Sequence, residues 1–106
     1  MKLGVLNTSI ITTDGQYSLE SISLDQARTL VRENEIDSAV GHESTAQIMT
    51  TLLGVDVPVN RQPFAQQRGQ AALVFKANGR PPEGQILSRQ QLEEIGYSFK
   101  LLTRQT

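Results

Sequence analysis

The sequence predicts an α/β fold: a single mixed β-sheet of about five to six strands with three helices packed on it, within one domain over residues 1–106. Three observations carry that expectation. Three segments place apolar residues at helical spacing behind a Ser-x-x-Gln start signal, at Ser23/Gln26, Ser44/Gln47 and Ser88/Gln91, as capped amphipathic helices do. Short alternating apolar runs lie between and beside them. Residues 71–76 (Ala-Ala-Leu-Val-Phe-Lys) are apolar almost throughout, which suits a strand at the centre of a sheet. The resulting order is ββαβαββαβ, with no internal repeat and no linker.

Each element follows from local chemistry. Residues 2–11 read as a first strand through Leu3, Val5, Ile10 and Ile11. Asn7-Thr8-Ser9 interrupts it, either as an edge or turn or as a polar strand end lining a site. Asp14-Gly15 marks a turn. Tyr17 to Ile22 alternates apolar and polar residues, as a second strand returning beside the first. Ser23 caps a helix over 24–33 whose Leu24, Ala27, Leu30 and Val31 face the core, with Asn34 as a left-handed stop. Residues 36–40 form a short strand. The next helix begins between His42 and Ser44, buries Thr45, Met49, Leu52 and Leu53, and stops at Gly54. Val55, Val57 and Val59 alternate as a further strand, with Pro58 marking an edge. Residues 62–70 are polar and read as a loop or a frayed hairpin arm. Beyond the 71–76 strand, 78–84 form a proline-stiffened loop. Ser88 then opens a helix that buries Leu92 and Ile95 and stops at Gly96, and residues 97–102 alternate into the last strand.

Composition limits the functions available. Hydrophobic residues are 38% and charged residues 20%, as in a soluble globular domain with one core. The formal net charge of −1 argues against a broad basic surface for duplex DNA. An anionic ligand must therefore be held locally, by a few arginines and backbone N–H groups. The absence of cysteine excludes disulfides, thiolate metal sites and a cysteine nucleophile. A single histidine disfavours a histidine-rich zinc site. No stretch approaches the ~20 apolar residues of a membrane span, and no long apolar leader opens the chain. The expected location is cytoplasmic, without a membrane partner.

The segment most suggestive of chemistry is Gly41-His42-Glu43-Ser44-Thr45. A helix start gathers unpaired N–H groups and partial positive charge, and so suits phosphate. His42 is there either as a helix-capping or partly buried residue, or as a general acid acting near neutral pH. The hydroxyls of Ser44 and Thr45 belong to an ordinary helix start, or they meet phosphate oxygens. Arg61 and Arg80 are either solvated loop residues or, brought to one helix start, an anion clamp. Glu83 pairs with Arg80, or positions a ribose hydroxyl or His42. The chain has no P-loop, dinucleotide fingerprint, zincin motif or paired-aspartate metal motif, so no cofactor and no metal are expected. The enzymatic chemistry consistent with this inventory uses a substrate ribose 2′-hydroxyl as nucleophile. The protein then supplies alignment, charge stabilisation and a proton for the departing 5′-oxygen.

The succession Leu6-Asn7-Thr8-Ser9, Gly41-His42-Glu43-Ser44-Thr45-Ala46, Leu53-Gly54-Val55, Val57-Pro58-Val59-Asn60-Arg61, Ala72-Leu73-Val74-Phe75, Arg80-Pro81-Pro82-Glu83-Gly84 and Leu101-Leu102-Thr103-Arg104 resembles the viral ring nuclease family. That family comprises type III anti-CRISPR proteins and their cellular relatives, and the likeness runs along nearly the whole chain. It implies a homodimer that binds cyclic tetra-adenylate across its two-fold axis. It further implies metal-independent cleavage of that ring to linear di-adenylates with 2′,3′-cyclic phosphate ends. It carries the catalytic histidine onto His42, the loop arginine and glutamate onto Arg80 and Glu83, and ligand contacts onto Asn7, Ser9, Ser44, Thr45 and Arg61. Residues 62–70 are the least typical stretch, and nothing is carried over there.

Two other functions fit the same residues. A non-catalytic sponge or sensor for cyclic oligoadenylate would use the same arginines and helix start, with His42 only donating a hydrogen bond. A small dimeric protein-interaction domain would need only the pattern of helices and strands.

Overall fold

The computed structural model describes residues 2–77 and 89–106, without the side chains of Arg89 and Leu92. The expected loop at 78–84, with Arg80 and Glu83, the Ser88 cap and the packing of Leu92 lie outside the described residues. The elements follow in the order β1 (Leu3–Leu6), β2 (Tyr17–Ile22), α1 (Leu24–Glu33), β3 (Ile36–Ser38), α2 (Glu43–Leu53), β4 (Ala71–Ala77), α3 (Arg89–Ile95) and β5 (Tyr97–Arg104). All five strands join one mixed sheet, ordered β2-β5-β4-β1-β3. β1 runs parallel to β3 and β4, whereas β5 runs antiparallel to β4 and β2. The apolar run at 71–76 takes the central place that its composition suits.

The two sheet faces are covered differently. Leu3, Val5, Leu73, Phe75 and Phe99 point to one face and pack with Ala27 and Val31 of α1, with Ala46, Met49 and Leu52 of α2, and with half-buried Ile95 of α3. The three helices therefore share one side. Period-two alternation sends Leu6, Ala72, Val74 and Leu102 to the other face, where Ala39 and Phe64 complete a second apolar cluster. Phe64 belongs to the polar-looking 62–70 stretch. It lies over Gly4, where any Cβ would meet the Phe64 ring, with Cε2 only 3.0 Å away. The missing side chain thus lets an aromatic ring close onto β1. Buried Gln66 fixes the same stretch by donating through Nε2 to the carbonyls of Leu102 and Gln70. Arg104 adds a bond of 2.6 Å to the Gln66 carbonyl.

Several expectations need correction. The first strand ends at Leu6 rather than residue 11, because Asn7-Thr8-Ser9 leaves the ladder; Ile10 then folds back onto the second cluster. β2 does not return beside β1, whose two edges are already taken by β3 and β4. It pairs with β5 at the far edge. Residues 55–59 form no strand. Pro58 has no N–H to give a ladder, and this stretch bonds to side chains instead: Val57 N–H donates to Thr50 Oγ1 (2.9 Å) and Ser38 Oγ donates to the Pro58 carbonyl (2.7 Å). Asn34 is extended (φ −129°) rather than left-handed. Its side-chain amide donates to the Leu30 carbonyl at 2.9 Å and closes the helix end that way. The Ser23/Gln26 capping box is formed. The Ser44/Gln47 box is not, because His42 occupies the cap position and leaves Ser44 inside the first turn. Thr45 is only half-buried. Among the described residues, no helix is long and apolar enough to cross a membrane.

Candidate functional site

Parallel strands carry their carboxyl ends to one end of the sheet, where ligands of open α/β sheets commonly bind. β1, β3 and β4 are mutually parallel in this sense. Asn7-Thr8-Ser9 after β1 and Ala39 to His42 after β3 therefore leave at the same end, where β4 finishes at Ala77.

The β3 exit leads straight into α2. His42 is the N-cap residue in extended conformation (φ −127°, ψ 129°), and its carbonyl accepts the N–H of Ala46 at 3.0 Å. Its imidazole makes no capping bond and is exposed. The first-turn N–H groups of Glu43, Ser44 and Thr45 have no intrahelical acceptor. The Ser44 and Thr45 hydroxyls make no hydrogen bond among the described residues. Glu43 lies on the helix stripe shared with Gln47 and Thr50, in a groove of about 420 Å³ against Asp56 to Val59.

A strap without regular secondary structure places Arg61 beside this helix start. Asn60 N–H donates to the Val40 carbonyl (2.9 Å), and Asn60 Nδ2 to the Ser38 carbonyl (2.9 Å). Gln62 Nε2 donates to Asp37 Oδ1 (2.9 Å) and to the Ser38 carbonyl (2.7 Å). Between them, Arg61 Nε donates to the carbonyl of Gly41 at 2.8 Å. A Cβ on Gly41 would stand 3.3 Å from Arg61 Cγ, so glycine here allows the arginine stem to lie along the backbone next to His42. Anchoring through Nε leaves both Nη groups unbonded among the described residues, and these form the fork that matches phosphate.

The structure thus gathers His42, Ser44, Thr45 and Arg61 around one helix start. Asn7 and Ser9 leave the same end of the sheet but line a different pocket, about 300 Å³, with Leu19, Val74, Lys76 and Lys100. Arg80 and Glu83, expected to complete the His42 site, lie outside the described residues. The two lysines escaped the sequence reading. Lys100 lies between Phe99 and Leu101, and alternation alone turns it to the opposite face. Only knowledge of the sheet order brings it beside Lys76 and the end of β1.

Fold and site together define a small α/β domain that presents a histidine, an anchored arginine and helix-start N–H groups without an intrahelical acceptor at the carboxyl end of a mixed sheet. The chain belongs to the STIV B116-like family, whose model matches residues 3–99. It is 36% identical over 106 residues to protein YddF of Bacillus subtilis (strain 168), covering 98% of both chains. It is 32% identical over 108 residues to ORF117 of Acidianus two-tailed virus, covering 96% of this chain and 92% of the viral one. The family therefore has viral and bacterial members. B116 of Sulfolobus turreted icosahedral virus has the same fold, with a TM-score of 0.83 and 19% identity over 96% of this chain and 98% of B116.

Proposed function

We propose that this protein is a metal-independent ring nuclease that cleaves cyclic tetra-adenylate and so switches off type III CRISPR signalling. A ribose 2′-hydroxyl gives up its proton to solvent as its oxygen attacks the adjacent phosphorus, the P–O5′ bond breaks, and the leaving 5′-oxygen takes a proton from the His42 imidazolium, which solvent then restores. No water is consumed, and each cut leaves a 2′,3′-cyclic phosphate and a 5′-hydroxyl. Two cuts at opposite phosphates give two linear di-adenylates. A homodimer binding the ring on its two-fold axis would bring one His42 to each of these phosphates.

The observation that carries this reading is the state of His42. Its imidazole is exposed and makes no hydrogen bond among the described residues at a helix N-cap, with the Arg61 fork held one residue away through the Gly41 carbonyl. Ser44, Thr45 and the first-turn N–H groups supply donors for phosphate oxygens. Local donors explain how a chain of net charge −1 would hold four phosphates. On the sequence resemblance, Arg80 and Glu83 complete the catalytic set, and Asn7 and Ser9 contact the ring. The activity belongs to the prokaryotic cytoplasm, where such a messenger acts.

The test is incubation of excess protein with cyclic tetra-adenylate in the presence of chelator. Linear di-adenylate with a cyclic phosphate end is the expected product. Intact ring held by the protein would instead make it a sponge, and absence of binding by calorimetry would end the nucleotide reading.

A further inference from the structure

We infer that Ser38, the last residue of β3, is a positioning residue: its hydroxyl and carbonyl lock the strap at 58–62 onto the backbone beside Gly41 and so aim the Arg61 fork. Ser38 is 4% exposed, and a hydroxyl buried that deeply needs hydrogen-bond partners. Its oxygen has one on each side. Oγ donates to the Pro58 carbonyl at 2.7 Å and accepts from the Val40 N–H at 3.3 Å. One atom therefore joins the strap to the segment whose next residue, Gly41, accepts the Arg61 Nε–H. Alanine in its place would keep the backbone and lose both bonds.

The Ser38 carbonyl completes the clasp. β3 is an edge strand with β1 on its inner side. Asn60 Nδ2 and Gln62 Nε2 both donate to the Ser38 carbonyl, at 2.9 and 2.7 Å. These two residues flank Arg61 in sequence, so tethers from either side of the arginine converge on a single oxygen. Asn60 N–H adds a third bond, to the Val40 carbonyl at 2.9 Å. The backbone at residue 61 cannot shift or turn without straining at least one of them. A long side chain on a free loop loses binding energy to the ordering of its rotors. Arg61 is exposed, so burial does not order it. The bond from its Nε to the Gly41 carbonyl gives a fixed fork only while both backbones hold still. Ser38 acts on the arginine through those two backbones.

That the fork meets a phosphate of cyclic tetra-adenylate rests on the ring-nuclease reading; its positioning by Ser38 does not. The first measurement therefore uses the protein without ligand. The bond to Gly41 slows solvent exchange of the Arg61 Nε–H, which heteronuclear NMR follows. Ser38→Ala is expected to quicken that exchange roughly fivefold to tenfold, the scale of one hydrogen bond. Asn60→Ala, at an exposed position that leaves the core untouched, is expected to do the same. Val31→Ala in α1 lowers the denaturation midpoint through the core and is expected to leave the exchange at the wild-type rate. The second measurement is calorimetry in the His42→Ala background, which keeps the ring intact. There Ser38→Ala weakens ring binding about threefold to tenfold. With His42 present, its single-turnover rate at saturation stays within about threefold of wild type, as for a lost ground-state contact. Added to Arg61→Ala, it brings affinity no lower than about twofold below Arg61→Ala alone, since both changes act through one group. Wild-type exchange in both Ser38→Ala and Asn60→Ala would overturn the positioning role whatever the cleavage assay returns, and so would equal quickening in Val31→Ala. Losses that add in the combined variant would overturn it too, because Ser38 would then act elsewhere. Quickened exchange in a protein that neither binds nor cuts the ring upholds the role of Ser38 and removes only the nuclease.

Discussion

At an N-cap, Ser, Thr, Asp and Asn are preferred because their side-chain oxygens accept from the first-turn N–H groups. His42 stands in that place with an exposed side chain that makes no capping bond. If it hands a proton to the leaving oxygen, His42→Ala loses roughly 10²–10⁴-fold in single-turnover rate and still binds the ring, since the donors around it remain. Cleavage at the wild-type rate would remove the role. Arg61 is set by its neighbour. Gly41→Ala puts a methyl 3.3 Å from Arg61 Cγ, so the exposed arginine must give by a few tenths of an ångström, at the expense of its bond to the Gly41 carbonyl. The expected result is ring binding weakened by about tenfold, the scale of one charge-assisted hydrogen bond, with an unchanged denaturation midpoint. Arg61→Ala should match it in affinity; a Gly41→Ala protein that binds normally would show that the Arg61 anchor is dispensable.

At the scale of elements, local signals were readable wherever the backbone satisfies itself. Ser23 with Gln26 announces α1, and both reciprocal bonds are present. Gly54 ends α2 in the left-handed region at φ 75°, as its position after Leu52 and Leu53 implies. Local signals failed where partners are distant. Val55, Val57 and Val59 alternate like a strand, but their neighbours are the Thr50 and Ser38 side chains rather than a ladder. Residues 62–70 look like solvated loop because five of the nine are Gln or Arg. Yet Phe64, Gln66 and Gln70 are buried against the sheet. The buried Gln66 amide donates to two main-chain carbonyls. Gln66→Leu removes both bonds and is expected to destabilise by about 1–3 kcal/mol, read as a lower urea midpoint. An unchanged midpoint would mean that the Gln66 amide bonds do not hold the strap.

For the whole molecule, the α/β class, the single sheet and the central β4 followed from helical spacing and one apolar run. The strand order did not, because β2 sits at the edge remote from β1 and pairs with the last strand, a choice made by which edges remain free. Half of the candidate site was equally legible: the His42 helix start is contiguous in sequence, and Arg61 follows a recognisable Val-Asn motif. The Lys76–Lys100 pair depends on sheet order and could not be read from spacing. The proposed ring, bound across a two-fold axis, would need a protein with that symmetry. Light scattering is therefore expected to give a mass of about twice 11.7 kDa, and a monomer at micromolar concentration that still cuts the ring would refute the shared site.

Arg61 and Phe64 are three residues apart on one strap, so the anion grip proposed for Arg61 and the Phe64 ring over Gly4 share one mechanical piece. Ligand bound at one end would then be felt at the other as resistance to local opening. Trypsin offers a direct gauge, because Arg68 is exposed in the turn that follows. Saturating the His42→Ala protein with uncut ring is expected to slow nicking after Arg68 by severalfold, and an unaltered digestion time course would show that the two ends act independently.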